Sequence, residues 1–112
     1  LPEGEYHELG LLFLYYLLKS RGFRIVYLGA NVPMKDIESI CHTMKPDMAY
    51  THLTGSCQPA YFEKLLLQIS SQLPGIHTII SGCPTREFDG QAPAGIELKR
   101  SFDEVMAHIE GL

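Results

Sequence analysis

Two kinds of apolar segment alternate along this chain, and no other feature restricts its fold so much. Residues 24–28, 48–53 and 76–81 are short runs rich in β-branched and aromatic side chains, and residues 95–98 form a weaker one; glycine, proline or aspartate punctuates them, which predicts strands. Longer segments with helical spacing separate them. Residues 5–20 predict a helix that is apolar nearly all round: Leu9, Phe13, Tyr16 and Leu17 lie on one side and Leu11, Leu14, Tyr15 and Leu18 cover the rest. Such a helix is expected to pack on several sides, and Gly22 ends it. Asn31 as cap and Pro33 in the first turn predict a second helix with Ile37, Ile40, Cys41 and Met44 on its apolar face. Pro59 opens a third, in which Phe62, Leu65, Leu66, Ile69 and Leu73 recur until Pro74 and Gly75 stop it. Ser101 and Glu104 form a capping-box pair for a last helix carrying Phe102, Val105, Met106 and Ile109.

Strands too apolar to have a wet face, each separated from the next by a helix, specify a parallel sheet covered on both faces. The expected fold is therefore α/β, a doubly wound Rossmann- or flavodoxin-like sheet, and 112 residues suit one domain over 1–112. Folds of this kind begin with a central strand, whereas this chain begins with a helix. Leu1 is expected to be the end of a truncated first strand.

Composition removes several function classes. The net charge is −4, and the scattered Lys and Arg residues give no stripe that would neutralise phosphates, so these residues alone should not bind nucleic acid. Three cysteines without paired spacing argue against a disulfide framework or zinc ribbon and fit a reducing, cytoplasmic setting. The longest apolar stretch, 9–18, is about half of what a membrane span needs. No Gly-rich phosphate loop follows a strand, and no Asp ends one to accept phosphate.

In open α/β sheets ligands bind beyond the carboxyl ends of the strands, which directs attention to residues 2–10, 29–33, 51–57 and 81–85. The first of these carries Glu5 and His7, two apart in a Gly-containing turn leading into the long helix. Partial positive charge at a helix start favours the neutral imidazole that coordinates metals, and a neighbouring carboxylate can hold the other ring nitrogen. Gly10, a turn later, would let a bulky ligand approach the backbone. A histidine near a helix start is also commonly a cap or surface residue, and spacing alone does not distinguish the two.

Glu5-Tyr6-His7-Glu8-Leu9-Gly10 resembles the Asp-x-His-x-x-Gly motif of cobalamin-binding domains, with Glu for Asp. Thr51-His52-Leu53 resembles that family's Ser-x-Leu, and Ser81-Gly82 its Gly-Gly, in the family's order and spacing. The resemblance covers nearly the whole chain. It implies that His7 replaces the cofactor's own base as lower cobalt ligand, with Glu5 behind it. Thr51 would hydrogen-bond the displaced nucleotide tail, Leu53 would pack on it, and Ser81 with Gly82 would line its slot. Residues 2–7 and Tyr27-Leu28-Gly29 with Pro33 further resemble MerR-type light- or cobalamin-responsive repressors. That branch implies a sensor and not an enzyme. Adenosylcobalamin or methylcobalamin would be the ligand, homo-oligomerisation would be gated by it, and DNA would be bound only through an N-terminal domain absent from these residues. Two alternatives stay open. One is the cobalamin module of a corrinoid-dependent methyltransferase or mutase; the other is a cofactor-free α/β oligomerisation module, motivated by Thr51 and Ser81. His52, Cys57 and Cys83 receive no site role, and Phe13, Tyr15 and Tyr16 are read as packing.

Overall fold

The computed structural model describes residues 1–2, 8–54, 59–82, 84–85, 88 and 90–112. Within them, α1 (Leu9–Ser20) and α2 (Met34–Met44) precede β1 (Met48–Leu53). Then come α3 (Pro59–Gln72), β2 (His77–Gly82), β3 (Ile96–Lys99) and α4 (Phe102–Glu110). The strands pair in parallel in the order β1-β2-β3, with Thr51 opposite Ile80, Leu53 opposite Gly82 and Ile80 opposite Leu98. Alternation along each strand then sorts side chains to two faces.

Leu53, Ile80 and Ile96 point to one face, where α3 presents Phe62, Leu65, Leu66, Ile69 and Leu73, all buried, and α2 adds partly buried Met34, Ile37 and Cys41. Full burial of five such side chains contributes on the order of 10 kcal/mol before the entropy of ordering them is set against it. Tyr50 points to the other face, where Leu14 of α1 packs with Val105 and Ile109 of α4. Helices thus cover both faces, as the apolar character of the strands requires. The α/β expectation stands.

The ends of the helices follow local chemistry. Behind α1, Gly22 N–H donates to Lys19 O and Phe23 N–H to Leu18 O, which closes the last turn. Ser101 Oγ accepts from Glu104 N–H at 3.2 Å, while the Glu104 carboxylate takes the N–H of Arg100, one residue before the Ser101 N–H that a capping box uses.

Four expectations are corrected. Residues 24–28 form no strand, and Phe23, Arg24 and Val26 are exposed. Leu1 and Pro2 lie beside the chain only further on, through Leu1 N to Gly29 O at 2.6 Å, Val32 N to Leu1 O, and a parallel bridge between Pro2 and Val32. Among the described residues, 24–28 therefore join no ladder. Asn31 does not cap α2: it sits at φ 55°, and Pro33 occupies the cap position, its carbonyl accepting from Asp36 and Ile37. On α2 no side chain is fully buried, and Met44 is exposed. Finally, α1 packs on one side only; Leu11 and Leu14 are buried, whereas Leu9, Leu12, Phe13 and Tyr16 are exposed, as is Phe102 on α4.

Candidate functional site

Glu5 and His7 lie outside the described residues, as do Cys57 and Cys83. The other five predicted site residues are described, and the parallel register gathers four of them at the carboxyl ends of β1 and β2. Gly10 is in the first turn of α1, above the same ends.

Strand alternation divides this group. Thr51, Leu53 and Gly82 belong to the α3 side, His52 and Ser81 to the α1 side. Leu53 is fully buried among the α3 side chains. Thr51 Oγ is buried and has no hydrogen-bond partner among the described residues. An unsatisfied buried hydroxyl costs about 1–3 kcal/mol, so the position is expensive as it stands.

Gly82 is fixed by two constraints. Its φ is 110°, outside what side-chain-bearing residues readily adopt, and a Cβ there would lie 2.8 Å from both Leu53 C and Leu53 N and closer still to Leu53 O. The carboxyl end of β2 carries no side chain at this position because the β1 backbone passes against it. Beyond it, buried Thr85 donates to Gly82 O at 2.7 Å, with Lys99 O at 3.1 Å, and the Arg100 guanidinium holds Thr85 O and Phe88 O. The loop after β2 is thereby tied to the end of β3.

On the α1 side, His52 Nδ1 and buried Ser81 Oγ share a hydrogen bond of 2.8 Å. The His52 ring lies directly beneath Gly10, where an added Cβ would come within 2.9 Å of Nε2 and nearer still to the adjoining ring carbon. Gly10 is thus needed for close approach, but what approaches it is this chain's own histidine. Sequence reasoning assigned His52 nothing. The available signal was parity: as the middle residue of Thr51-His52-Leu53, it must face opposite to its neighbours, towards α1.

A second omission is Glu8. Its Oε1 accepts from the Tyr27 hydroxyl at 2.9 Å, and Tyr27 stacks edge-on against Tyr15 at 5.2 Å. Burial and the Glu8 carboxylate push the Tyr27 phenol up to about 12, so it remains a donor at neutral pH. This bond joins the start of α1 to Tyr27-Leu28-Gly29, two segments carrying separate parts of the motif pattern.

Among the described residues no cluster of three His, Cys, Asp or Glu side chains is placed to hold a metal, and no helix is long and apolar enough to cross a membrane. Two surface grooves lie at the opposite ends of the strands, lined by residues such as Cys41, His42, Leu73, Gly75 and Ile76. Neither includes Gly10, Thr51, Ser81 or Gly82.

No family model matches the chain. Over 107 residues, 95% of its length, it is 29% identical to the HTH-type transcriptional repressor CarA of Myxococcus xanthus. Over 86 residues, 76% of its length, it is 31% identical to the HTH-type transcriptional repressor CarH of the same organism. The aligned segments make up 37% and 28% of those proteins. The chain is thus similar, along most of its length, to a minor part of two transcriptional repressors.

Proposed function

We propose that this chain is the cobalamin-binding sensor domain of a MerR-type transcriptional regulator. The observation that carries the reading is the buried, unpartnered hydroxyl of Thr51 at the carboxyl end of β1. A hydroxyl kept there at a cost of about 1–3 kcal/mol calls for a partner, and the resemblance puts the nucleotide tail of the corrinoid beside this residue. The similarity to two transcriptional repressors supports the regulatory half of the reading.

In this reading His7 is the cobalt ligand and Glu5 orients it, Thr51 holds the tail, and Gly82 with Ser81 lines its slot. When bound, the corrinoid supplies the cobalt centre that responds to light or ligand state. Leu53 is committed to the core and Ser81 to His52, so both support the slot more than they recognise its contents. The domain senses and does not catalyse. DNA contact belongs to another part of a longer cytoplasmic protein, since the charge of −4 offers phosphates no surface here.

The test is a visible absorption spectrum of the protein reconstituted in the dark with adenosylcobalamin and, separately, methylcobalamin, wild type beside His7→Ala. Histidine-ligated corrinoid in the wild type, lost in the variant, supports the assignment. If neither this chain nor a longer version retains corrinoid, the reading fails. The cofactor-free module, which the His52–Ser81 pair filling the space under Gly10 favours, then takes its place.

A further inference from the structure

The two flanks of the stretch that carries Glu5 and His7 stand on one short piece of chain. Residues 3–7 join Leu1 and Pro2 to Glu8. On the near flank, Leu1 N donates to Gly29 O at 2.6 Å, Val32 N–H donates to Leu1 O at 2.9 Å, and Pro2 forms a parallel bridge with Val32. On the far flank, Glu8 Oε1 accepts from the Tyr27 hydroxyl at 2.9 Å and lies over Gly29, where an added Cβ would stand 3.3 Å from it. Residues 27–32 thus support both flanks. We infer that Tyr27 is a positioning residue for His7, an assignment that rests on the cofactor reading above. By holding Glu8 it fixes the start of α1, and with it the histidine one residue earlier, in the arrangement that ligates cobalt.

The start of α1 needs such a hold. Glu8 stands at its cap position, and its carbonyl accepts the first helical N–H, that of Leu12, at 2.8 Å. No side chain among the described residues caps the helix, and an uncapped first turn frays unless something outside it intervenes. The Tyr27 hydroxyl is that outside group. It reaches Glu8 across nineteen residues of sequence, and both partners are partly buried. A hydroxyl donating to a carboxylate makes a bond roughly twice as strong as a neutral pair.

Tyr27 also meets α1 a second time. Its ring lies edge-on against Tyr15 at 5.2 Å, seven residues after Glu8 and so two turns along the same face. The ring contact locates Tyr27 against the helix, and the hydroxyl then sets the first turn relative to that contact. Removing the hydroxyl alone therefore leaves the packing in place. A ligand that binds only the held arrangement loses affinity in proportion to the fraction of molecules that keep it. Loss of one hydrogen bond to a charged group is enough to lower that fraction roughly tenfold.

The test uses adenosylcobalamin in the dark. Calorimetry gives the affinity, the visible spectrum gives the fraction of bound corrinoid that carries a histidine ligand, and NMR follows exchange of single amides in the corrinoid-free protein. Tyr27→Phe should weaken binding about tenfold and lower the histidine-ligated fraction; it should also speed exchange at Leu12 about tenfold while α3 exchanges as in wild type. Glu8→Ala should act alike, and the double variant should be no worse than either single one. Glu8→Gln keeps an acceptor and should stay within about threefold of wild-type affinity. A merely structural role would speed exchange in α3 together with Leu12 and leave the histidine-ligated fraction unchanged, and that result overturns the inference. Additive losses in the double variant overturn it as well. A wild type that holds no corrinoid, in this chain or a longer version, sinks the cofactor reading and this assignment together, whereas wild-type binding beside an equally tight Tyr27→Phe protein sinks this assignment alone.

Discussion

Replacing Thr51 by valine keeps the branched shape of the side chain and exchanges a hydroxyl for a methyl group. In most buried positions that exchange destabilises, because the hydroxyl has a partner to lose. Here the hydroxyl has none among the described residues, and its buried oxygen carries a desolvation cost of about 1–3 kcal/mol. Relieving part of it should stabilise the unliganded protein by about 1 kcal/mol, and valine suits a strand at least as well as threonine. At a urea dependence of about 2 kcal/mol per molar, the midpoint should rise by about 0.5 M. Corrinoid affinity should move the other way. Loss of one hydrogen bond worth about 0.5–1.5 kcal/mol weakens binding roughly 2- to 10-fold. Tyr50→Phe supplies the control: its hydroxyl is also buried and unpartnered, its phenol is pushed up to about 12 by burial and then by Glu97, but it faces the α4 side of the sheet. It should stabilise in the same sense and leave corrinoid affinity unaltered. Urea titration with isothermal calorimetry measures both quantities. A Thr51→Val protein less stable than wild type would refute the argument from the orphaned hydroxyl, and unchanged affinity would remove Thr51 from the binding site.

Gly82→Ala combines left-handed backbone strain with a Cβ driven into Leu53, so it should cost about 3 kcal/mol or more in a urea titration; a loss below about 1 kcal/mol would contradict the β1–β2 approach. Gly10→Ala should destabilise by displacing the His52 ring, and His52→Ala in the same chain should recover much of the loss; thermal melts showing additive losses would deny their contact. Acid sensitivity follows from Glu97 and His108. The Lys99 hydrogen bond, with Lys99, His77 and His108 charge, holds Glu97 below the usual carboxylate range despite some burial. Burial and then Lys99 hold His108 below the usual imidazole range, so at neutral pH its 3.7 Å approach to Glu97 is not an ion pair. Both groups bind protons less readily folded than unfolded. Their contribution is therefore complete above the ordinary histidine value and is lost as pH falls, first through His108 and then below the ordinary carboxylate value through Glu97. Melting temperatures at pH 7.5, 5.5 and 4 should decline in that order, and His108→Gln should flatten the first step.

Much of the fold could be read along the chain because its strongest signals are local. The spacing of Phe62, Leu65, Leu66, Ile69 and Leu73 predicted the buried face of α3, and every one of those residues is buried. The Ser101 cap, the proline and glycine after α3, and the apolar runs of β1 and β2 are likewise decided within a few residues of themselves. The readings that failed needed non-local information. Residues 24–28 have the composition of a strand, but a strand exists only through a neighbour's hydrogen bonds, and among the described residues Leu1 and Pro2 pair with Gly29 and Val32, beyond it. Leucine and aromatic side chains around α1 predicted packing on several sides, yet composition does not say how many elements surround a helix.

The candidate site divides along the same line. That its residues would collect at the carboxyl ends of parallel strands followed from the alternation of helix and strand, which is encoded in short-range pattern. Their division between two faces was set by strand parity and register. Register placed Thr51 beside Ile80 with its hydroxyl unpartnered, and Ser81 where His52 could meet it under Gly10. Hydrophobic periodicity is a property of neighbours in the chain, whereas an orphaned hydroxyl, a histidine beneath a glycine and an uncovered helix face are properties of neighbours in space.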